Sequence, residues 1–318
     1  MKTAIVTKYG GPEVIQIIET VKPTPKPNEM LVKIKAFGVT SGDVRIRSAN
    51  FPKGFAIPAK LALGIFGPRN KVLGSEFSGV IEEIGSEVTD FKVGDNVIGF
   101  RVFNVNAECA CIRQSDAIVQ MPEHLSFEEA ASIPFGASTA LYFLNMAGLK
   151  PNQSILINGA SGSVGSNAVQ IAKAMGLVVT GVCSEGNSNF VTSLRAAETI
   201  DYKSIDLKTI STTYDAIFDT VGNLKFDDFK HLLNNNGTFL QAVATFKELF
   251  AKKERENGKR FLTGTASEKK DELLLITKMV LEGKLKPCVD KVFDFQDISK
   301  AHKYVENGHK KGGVVVSV

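Results

Sequence analysis

The stretch "LINGASGSVGSNAVQIAKAMG", residues 156–176, joins an apolar strand, a glycine-punctuated turn and a helix in one run. Gly159, Gly162 and Gly165 fall between strand and helix, where a dinucleotide fold uses them. A residue without Cβ lets backbone amides approach a diphosphate, and a helix beginning near Ser163 offers free N–H groups and the positive end of its dipole. Gly159, Ala160, Ser161, Gly162, Ser163, Val164 and Gly165 are therefore expected to cradle a pyrophosphate; the plainer alternative is a tight turn with no ligand.

Outward from this loop the period of the sequence supports the first reading. Strands "SILING", "VVTGVC", "ETIDY", "AIFDTVG" and "GTFLQAV" alternate with helices "GSNAVQIAKAMG", "SNFVTSLRAA" and "KFDDFKHLLN", which predicts βαβ units on a parallel sheet and an α/β fold. Ahead of it, "SFEEAASIPFGASTALYFLNMAG" reads as a helix capped by Ser126, with Glu128 and Glu129 in its first turn. The N-terminal part is β-rich, through "TAIVT", "MLVKIKAFGV", "SGVIEEIG", "DNVIGF" and "CIRQSDAIVQM". After the helix "EKKDELLLITKMVLEGK", strands "CVDKVFDF" and "GGVVVSV" around the helix "SKAHKYVENG" are expected to close back on that N-terminal part.

Composition narrows the function classes. The 318 residues are 43% hydrophobic and 23% charged, enough for two domains with large cores. The formal charge of +4 is dispersed, so neither nucleic acid nor a membrane is an expected partner. The run "KKERENGKR" at 252–260 mixes signs and reads as a solvated face. No apolar run approaches the roughly 18 residues of a membrane-spanning helix. The start "MKTAIVTKYGG" reads as strand and turn rather than signal peptide, so a cytoplasmic location is expected. Cys109, Cys111, Cys183 and Cys288 form no C-x-x-C pair, and His124, His231, His302 and His309 no H-x-x-x-H pair. Cys109 and Cys111 would share one face of a strand, where core packing is the expected role rather than a metal.

The cofactor's identity turns on the strand ends. In "GVCSEGN" the small Ser184 ends the second strand of the alternating region and suits a 2′-phosphate, with Tyr202 and Lys203 at the end of the third. Glu185 would repel that phosphate unless it points away. NADPH is the expected cofactor and NADH the alternative. Val221 and Gly222 close the fourth strand, and Ala242 and Val243 follow the fifth, all facing the ligand crevice.

The stretches "YGGPEVI", "KIKAFGVTSGDVRIRSA", "LGSEFSGVIEEIGSEVTDFKVGDNVIGF", "LSFEEAASIPFGASTAL", "GLKPNQSILINGASGSVGSNAVQIAKAMG", "IDYK" and "FDTVG" run from end to end. In them the whole chain resembles a medium-chain dehydrogenase/reductase of the zinc-independent quinone oxidoreductase branch. The resemblance implies a GroES-like β-rich catalytic domain at residues 1–121 and 265–318, and a Rossmann domain with a doubly wound parallel sheet at 122–264. It also implies a cofactor in the cleft between them and a homodimer joined along the edges of the Rossmann sheets. Where zinc-dependent relatives carry a cysteine and a histidine, this chain has Thr40 and Ser75; Glu76 remains, and a four-cysteine loop is missing, so no zinc is expected.

A metal-free site suits an acceptor that is already electrophilic, a quinone or an α,β-unsaturated carbonyl. The alternatives are a zinc-free alcohol or enoyl-thioester reductase, and a non-catalytic NADPH-binding sensor. The resemblance places Thr40 and Asp43 beside nicotinamide and substrate, Thr139 in a hydrogen bond to the cofactor, and a basic element at Lys310 and Lys311 next to Gly312. Each has a second reading: Thr40 satisfying a backbone group, Asp43 capping a helix that starts at "VRIRSA", and the lysines as solvated charge. Three departures stand out. "FNVNAECACI" replaces a "GAYAEY" turn, and Leu194, Arg195 and Ala196 replace Leu-Gly-Ala. The segment "FPKGFAIPAKLALGIFGPRN" is apolar enough for a lid, with Arg69 as a contact for an acidic substrate group.

Overall fold

Six parallel strands make the central sheet of the computed structural model, which describes residues 1–254 and 256–318. In chain order they are Ser154–Asn158, Val178–Cys183, Glu198–Asp201, Tyr214–Asp219, Leu233–Gln241 and Arg260–Thr263. Across the sheet they run third, second, first, fourth, fifth, sixth. The order reverses between the first and the fourth, and a crevice opens there at the strands' carboxyl ends. Helices cover both faces, so Ile155, Leu156 and Ile157 are all buried in succession. Ile155 and Ile157 pack with Ala168, Val169 and Ala172 of the helix Ser163–Ala174, while Leu156 packs with Ile217, Phe226 and Phe239. The helix Lys270–Leu281, which the sequence reading groups with the C-terminal closure, contributes Leu273, Ile276 and Val280 to the first of these clusters.

The structure departs from sequence expectation at three elements. "SFEEAASIPFGASTALYFLNMAG" is two helices, Phe127–Ala131 and Pro134–Ala147, because Pro134 has no N–H to continue the first and starts the second well. Ser126 does cap the first: its hydroxyl accepts from the amide of Glu129 at 3.1 Å, and its own amide donates to that carboxylate at 2.9 Å. "KFDDFKHLLN" yields only the short helix Phe226–Phe229 and a 3-10 turn before the fifth strand starts at Leu233. The sixth strand emerges from the end of the mixed-charge run. There Arg260 is half-buried and donates to the Ala147 carbonyl at 2.7 Å and to Thr238 Oγ1, so that end of the run is not a solvated face; Arg255 of the run lies outside the described residues.

A second sheet takes strands from both ends of the chain. Gly313–Ser317 pairs antiparallel with Glu29–Gly38, with Val316 opposite Phe37, and parallel with Val289–Asp294. Glu76–Ile84, Asn96–Phe100 and Ala117–Gln120 continue it, and Cys109–Arg113 pairs with Glu29–Gly38. Met30, Ile34, Phe77, Val97 and Val316 fill its core. The four cysteines are free thiols. No helix among the described residues is long and apolar enough to cross a membrane.

Candidate functional site

The glycine loop is a compact turn pinned to the second central strand. The amides of Gly159 and Ala160 both donate to the Val182 carbonyl, at 3.1 and 3.0 Å, and Gly159 holds φ at +78°, where a side chain is strained. At Gly165 the constraint is space, since a Cβ there would lie 2.1 Å from the Gly159 carbonyl oxygen. The helix then starts at Ser163, and the amides of its first turn have no carbonyl one turn earlier within it to accept them.

These amides open into a cleft of about 750 Å³. Gly159, Ser161, Gly162, Ser163 and Val164 line one part of it, Ser184, Asn187 and Tyr202 another, and Val221 and Asn223 a third. Ser41, Arg45, Phe135 and Lys310 supply lining from outside the central sheet. Asp219, fully buried at the end of the fourth strand, fixes the loop that follows. Its carboxylate accepts from the amides of Val221, Gly222 and Leu224 at 2.9–3.0 Å and from Asn158 Nδ2 at 2.9 Å. Sequence reasoning passed over Asp219, although an aspartate just before a turn is the usual acceptor for that turn's amides.

The remaining expected residues are distributed unevenly. Ala160 is buried beneath the loop, and Gly165 is buried in the first turn of the helix that follows. Gly222 and Val243 line an adjoining cavity of about 470 Å³, and the half-buried Ala242 donates its amide to the Asp219 carbonyl at 3.0 Å. Thr139 is half-buried, its hydroxyl donating to the Phe135 carbonyl at 2.7 Å. Lys311 is exposed and lines neither cavity, whereas Lys310 lines the larger. Glu185 and Lys203 are exposed and outside the cleft lining. Arg69 donates to the Leu61 carbonyl within its own segment and lines neither cavity. Of that apolar segment, Phe51, Pro52 and Lys53 wall the smaller cavity, while Ile57 and Phe66, 75% and 91% exposed, point to solvent. Arg195 stands at φ +77°, a conformation that suits the glycine it replaces, and lines neither cavity.

Thr40 and Asp43 are both buried and closely paired. The helix expected to start at Val44 with Asp43 as its cap runs instead from Ser41 to Ser48, capped by Thr40. Thr40 Oγ1 accepts from the Asp43 amide at 3.1 Å, and the Thr40 amide and hydroxyl donate to Asp43 Oδ2 at 2.8 and 2.6 Å. The amide of Gly74 donates to Asp43 Oδ1 at 3.3 Å. Neither residue lines the cleft; Ser41 and Arg45 of the same helix do.

More ionisable groups are packed close to this pair. Burial pushes the Glu76 carboxyl up to about 8, opposed by the Phe135 amide that donates to it at 2.8 Å and helped by nearby Asp43. Burial raises Asp43 as well, against the hydrogen bonds from Thr40 and Gly74. It lowers Lys310 to about 8, against the pull of Glu76 and Asp290. These donors do not suit zinc. Thr40 and Ser75 are poor ligands, the Thr40 and Asp43 groups are engaged with each other, and no cluster of three or more His, Cys, Asp or Glu among the described residues could hold a metal.

The family comparisons agree with both sheets. A model of the alcohol dehydrogenase GroES-like domain matches residues 26–143, and a model of zinc-binding dehydrogenases matches residues 194–316. The chain is 30% identical to the chloroplast envelope quinone oxidoreductase homolog of Arabidopsis thaliana, over 96% of this chain and 95% of that protein. The solved structure of the quinone oxidoreductase from Coxiella burnetii is 30% identical, with a TM-score of 0.87 over 100% of this chain and 99% of that one. An Escherichia coli quinone oxidoreductase complexed with NADPH shares the fold at 23% identity, with a TM-score of 0.82 over the whole of both chains.

Proposed function

This chain belongs to the medium-chain dehydrogenase/reductase family, in its quinone oxidoreductase branch, and is an NAD(P)H-dependent oxidoreductase; from that premise we propose that it uses NADPH, without zinc, to reduce a quinone or an α,β-unsaturated carbonyl. The observation that supports this reading is the helix start at Ser163 and Val164 lining a cleft to which both the strand ends of the central sheet and residues from outside it, Ser41, Arg45, Phe135 and Lys310, contribute.

The cofactor fits the residues present. The diphosphate would lie over Gly162, Ser163 and Val164, with the Lys310 ammonium nearby as counter-charge in place of the exposed Lys311. Ser184 and Tyr202 would border the 2′-phosphate, and Glu185 stays outside the cleft, which removes its objection to NADP. Val221, Gly222, Ala242 and Val243 would border the nicotinamide end, on loops that Asp219 holds still. When bound, NADPH supplies a hydride. The protein then has to orient the acceptor, keep water out and stabilise the oxyanion that forms, to which one well-placed donor contributes roughly 3 kcal/mol. Ser41 offers that hydroxyl from the helix start inside the cleft. Thr40 and Asp43 act as positioning residues, since their mutual hydrogen bonds fix the start of that helix. The protein is proposed to work as a cytoplasmic homodimer.

The test follows NADPH and NADH absorbance with a panel of quinones, enals, aldehydes and enoyl thioesters, with zinc measured on the same purified sample. Oxidation with quinones or enals by zinc-free protein is the expected result. Turnover confined to thioesters or aldehydes points to the alternative reductase, and tight NADPH binding without oxidation of any substrate points to a sensor.

A further inference from the structure

Arg45 is the group in this site with no assigned work. It stands one turn after Ser41 on the same helix face and lines both the cleft and the adjoining 470 Å³ cavity. Among the described residues no carboxylate offsets it: burial lowers the pKa of its guanidinium. Among the described residues lining the smaller cavity the one carboxylate is Glu248, whose Oε2 accepts from the amide and hydroxyl of Thr245 at 2.7 and 2.8 Å and which forms no ion pair with Arg45. A half-buried guanidinium without a counter-ion is costly unless an anion completes it, and its planar fork suits a carboxylate in particular.

Building on the reductase reading, we propose that the acceptor carries a carboxylate, held by Arg45 in the smaller cavity, while its conjugated carbonyl lies against the nicotinamide end of the cleft. The apolar side chains of Phe51, Leu224 and Val243 would enclose the carbon skeleton between the two. Exposed Lys53 and Lys225 among the lining residues would favour an anion's entry.

A matched pair of acceptors tests this: 3-benzoylacrylate and its methyl ester. In either, the β-carbon gains hydride from NADPH and the α-carbon gains a proton from solvent, giving the saturated ketone and NADP⁺. The expected result is a preference for the acid in kcat/KM, with the acid-to-ester ratio falling about ten- to a hundred-fold in Arg45→Gln and partly restored in Arg45→Lys. Added salt should raise KM for the acid and leave that for the ester, a reading that needs no variant. An unchanged ratio in Arg45→Gln, or a rise confined to the KM for NADPH, overturns the carboxylate site and leaves the reductase standing. No NADPH oxidation with quinones, enals or either benzoylacrylate overturns the reductase reading and this proposal with it.

Discussion

The amide of Gly312 donates to the carbonyl of Ser161 at 2.8 Å, so the entry to the last strand of the outer sheet is stitched to the glycine loop of the central one. Gly312 sits at φ +86°, and a Cβ there would lie 2.1 Å from the Cys288 carbonyl oxygen. Gly312→Ala is therefore expected to cost at least about 2 kcal/mol in urea unfolding, through backbone strain and the displaced carbonyl. It should also weaken NADPH binding in calorimetry, because the contact it disturbs adjoins the loop proposed to hold the diphosphate. Normal affinity in this variant would separate the stitch from cofactor binding.

Two glycines of the loop should respond in opposite ways. A Cβ at Gly165 meets the Gly159 carbonyl oxygen at 2.1 Å, whereas one at Gly162 meets only that same oxygen at 3.5 Å, with φ at −75°. Gly165→Ala is expected to lower thermal stability. Gly162→Ala should unfold within about 0.5 kcal/mol of the parent yet bind NADPH more weakly, roughly ten-fold, because the added methyl stands where the diphosphate would approach. Equal NADPH affinities for parent and Gly162→Ala would move the ligand off this loop.

The buried ionisable groups set the dependence of stability on pH. Glu76 keeps its proton in the fold up to about 8 against an ordinary 4.5, so its contribution is full below 4.5 and is lost as pH rises through about 8. His302, held to about 3 by burial and by Arg47 against an ordinary 6.5, behaves oppositely: its contribution is present above 6.5 and lost as pH falls towards 3. The two slopes oppose each other between 4.5 and 6.5, and Lys310 enters only above about 8. Unfolding free energy should fall between pH 6.5 and 8 by about 1.4 kcal/mol per unit for each proton released. Glu76→Gln, which keeps an acceptor for the Phe135 amide, should flatten that fall; an unaltered slope would assign it to another group.

The sequence made the central sheet legible because its inner strands, Ser154–Asn158, Val178–Cys183 and Tyr214–Asp219, are buried on both faces and carry apolar runs, with the glycine loop marking the crevice. The sixth strand escaped because only "RFLT" carries the pattern, at the end of a charged run, and Arg260 finds its partners 22 and 113 residues away along the chain. The split at Pro134 was visible in the residue itself, but the strong helical period on either side concealed it. In the site, local chemistry was readable and convergence was not. Thr40 and Asp43 lie three residues apart, and a cap was one of their two readings. That Arg45 would line two cavities at once depends on loops near residues 50 and 245 that no local pattern brings together.

The cap at Thr40 also separates positioning from direct contact with substrate. Thr40→Ala removes the acceptor of the Asp43 amide and should cost about 1–2 kcal/mol. Asp43→Ala leaves the Thr40 amide, the Thr40 hydroxyl and the Gly74 amide without their buried acceptor and should cost more, roughly 2–4 kcal/mol. The double variant should fall short of the sum, since both changes break one network. Because the helix so fixed carries Ser41 and Arg45 into the cleft, kcat/KM for a quinone should drop with each variant while NADPH affinity, proposed to rest mainly on the glycine loop, changes little. Thr40→Ser, which keeps the hydroxyl, should restore stability and activity together. Thr40→Ala with full stability but no turnover would instead put that hydroxyl on the substrate.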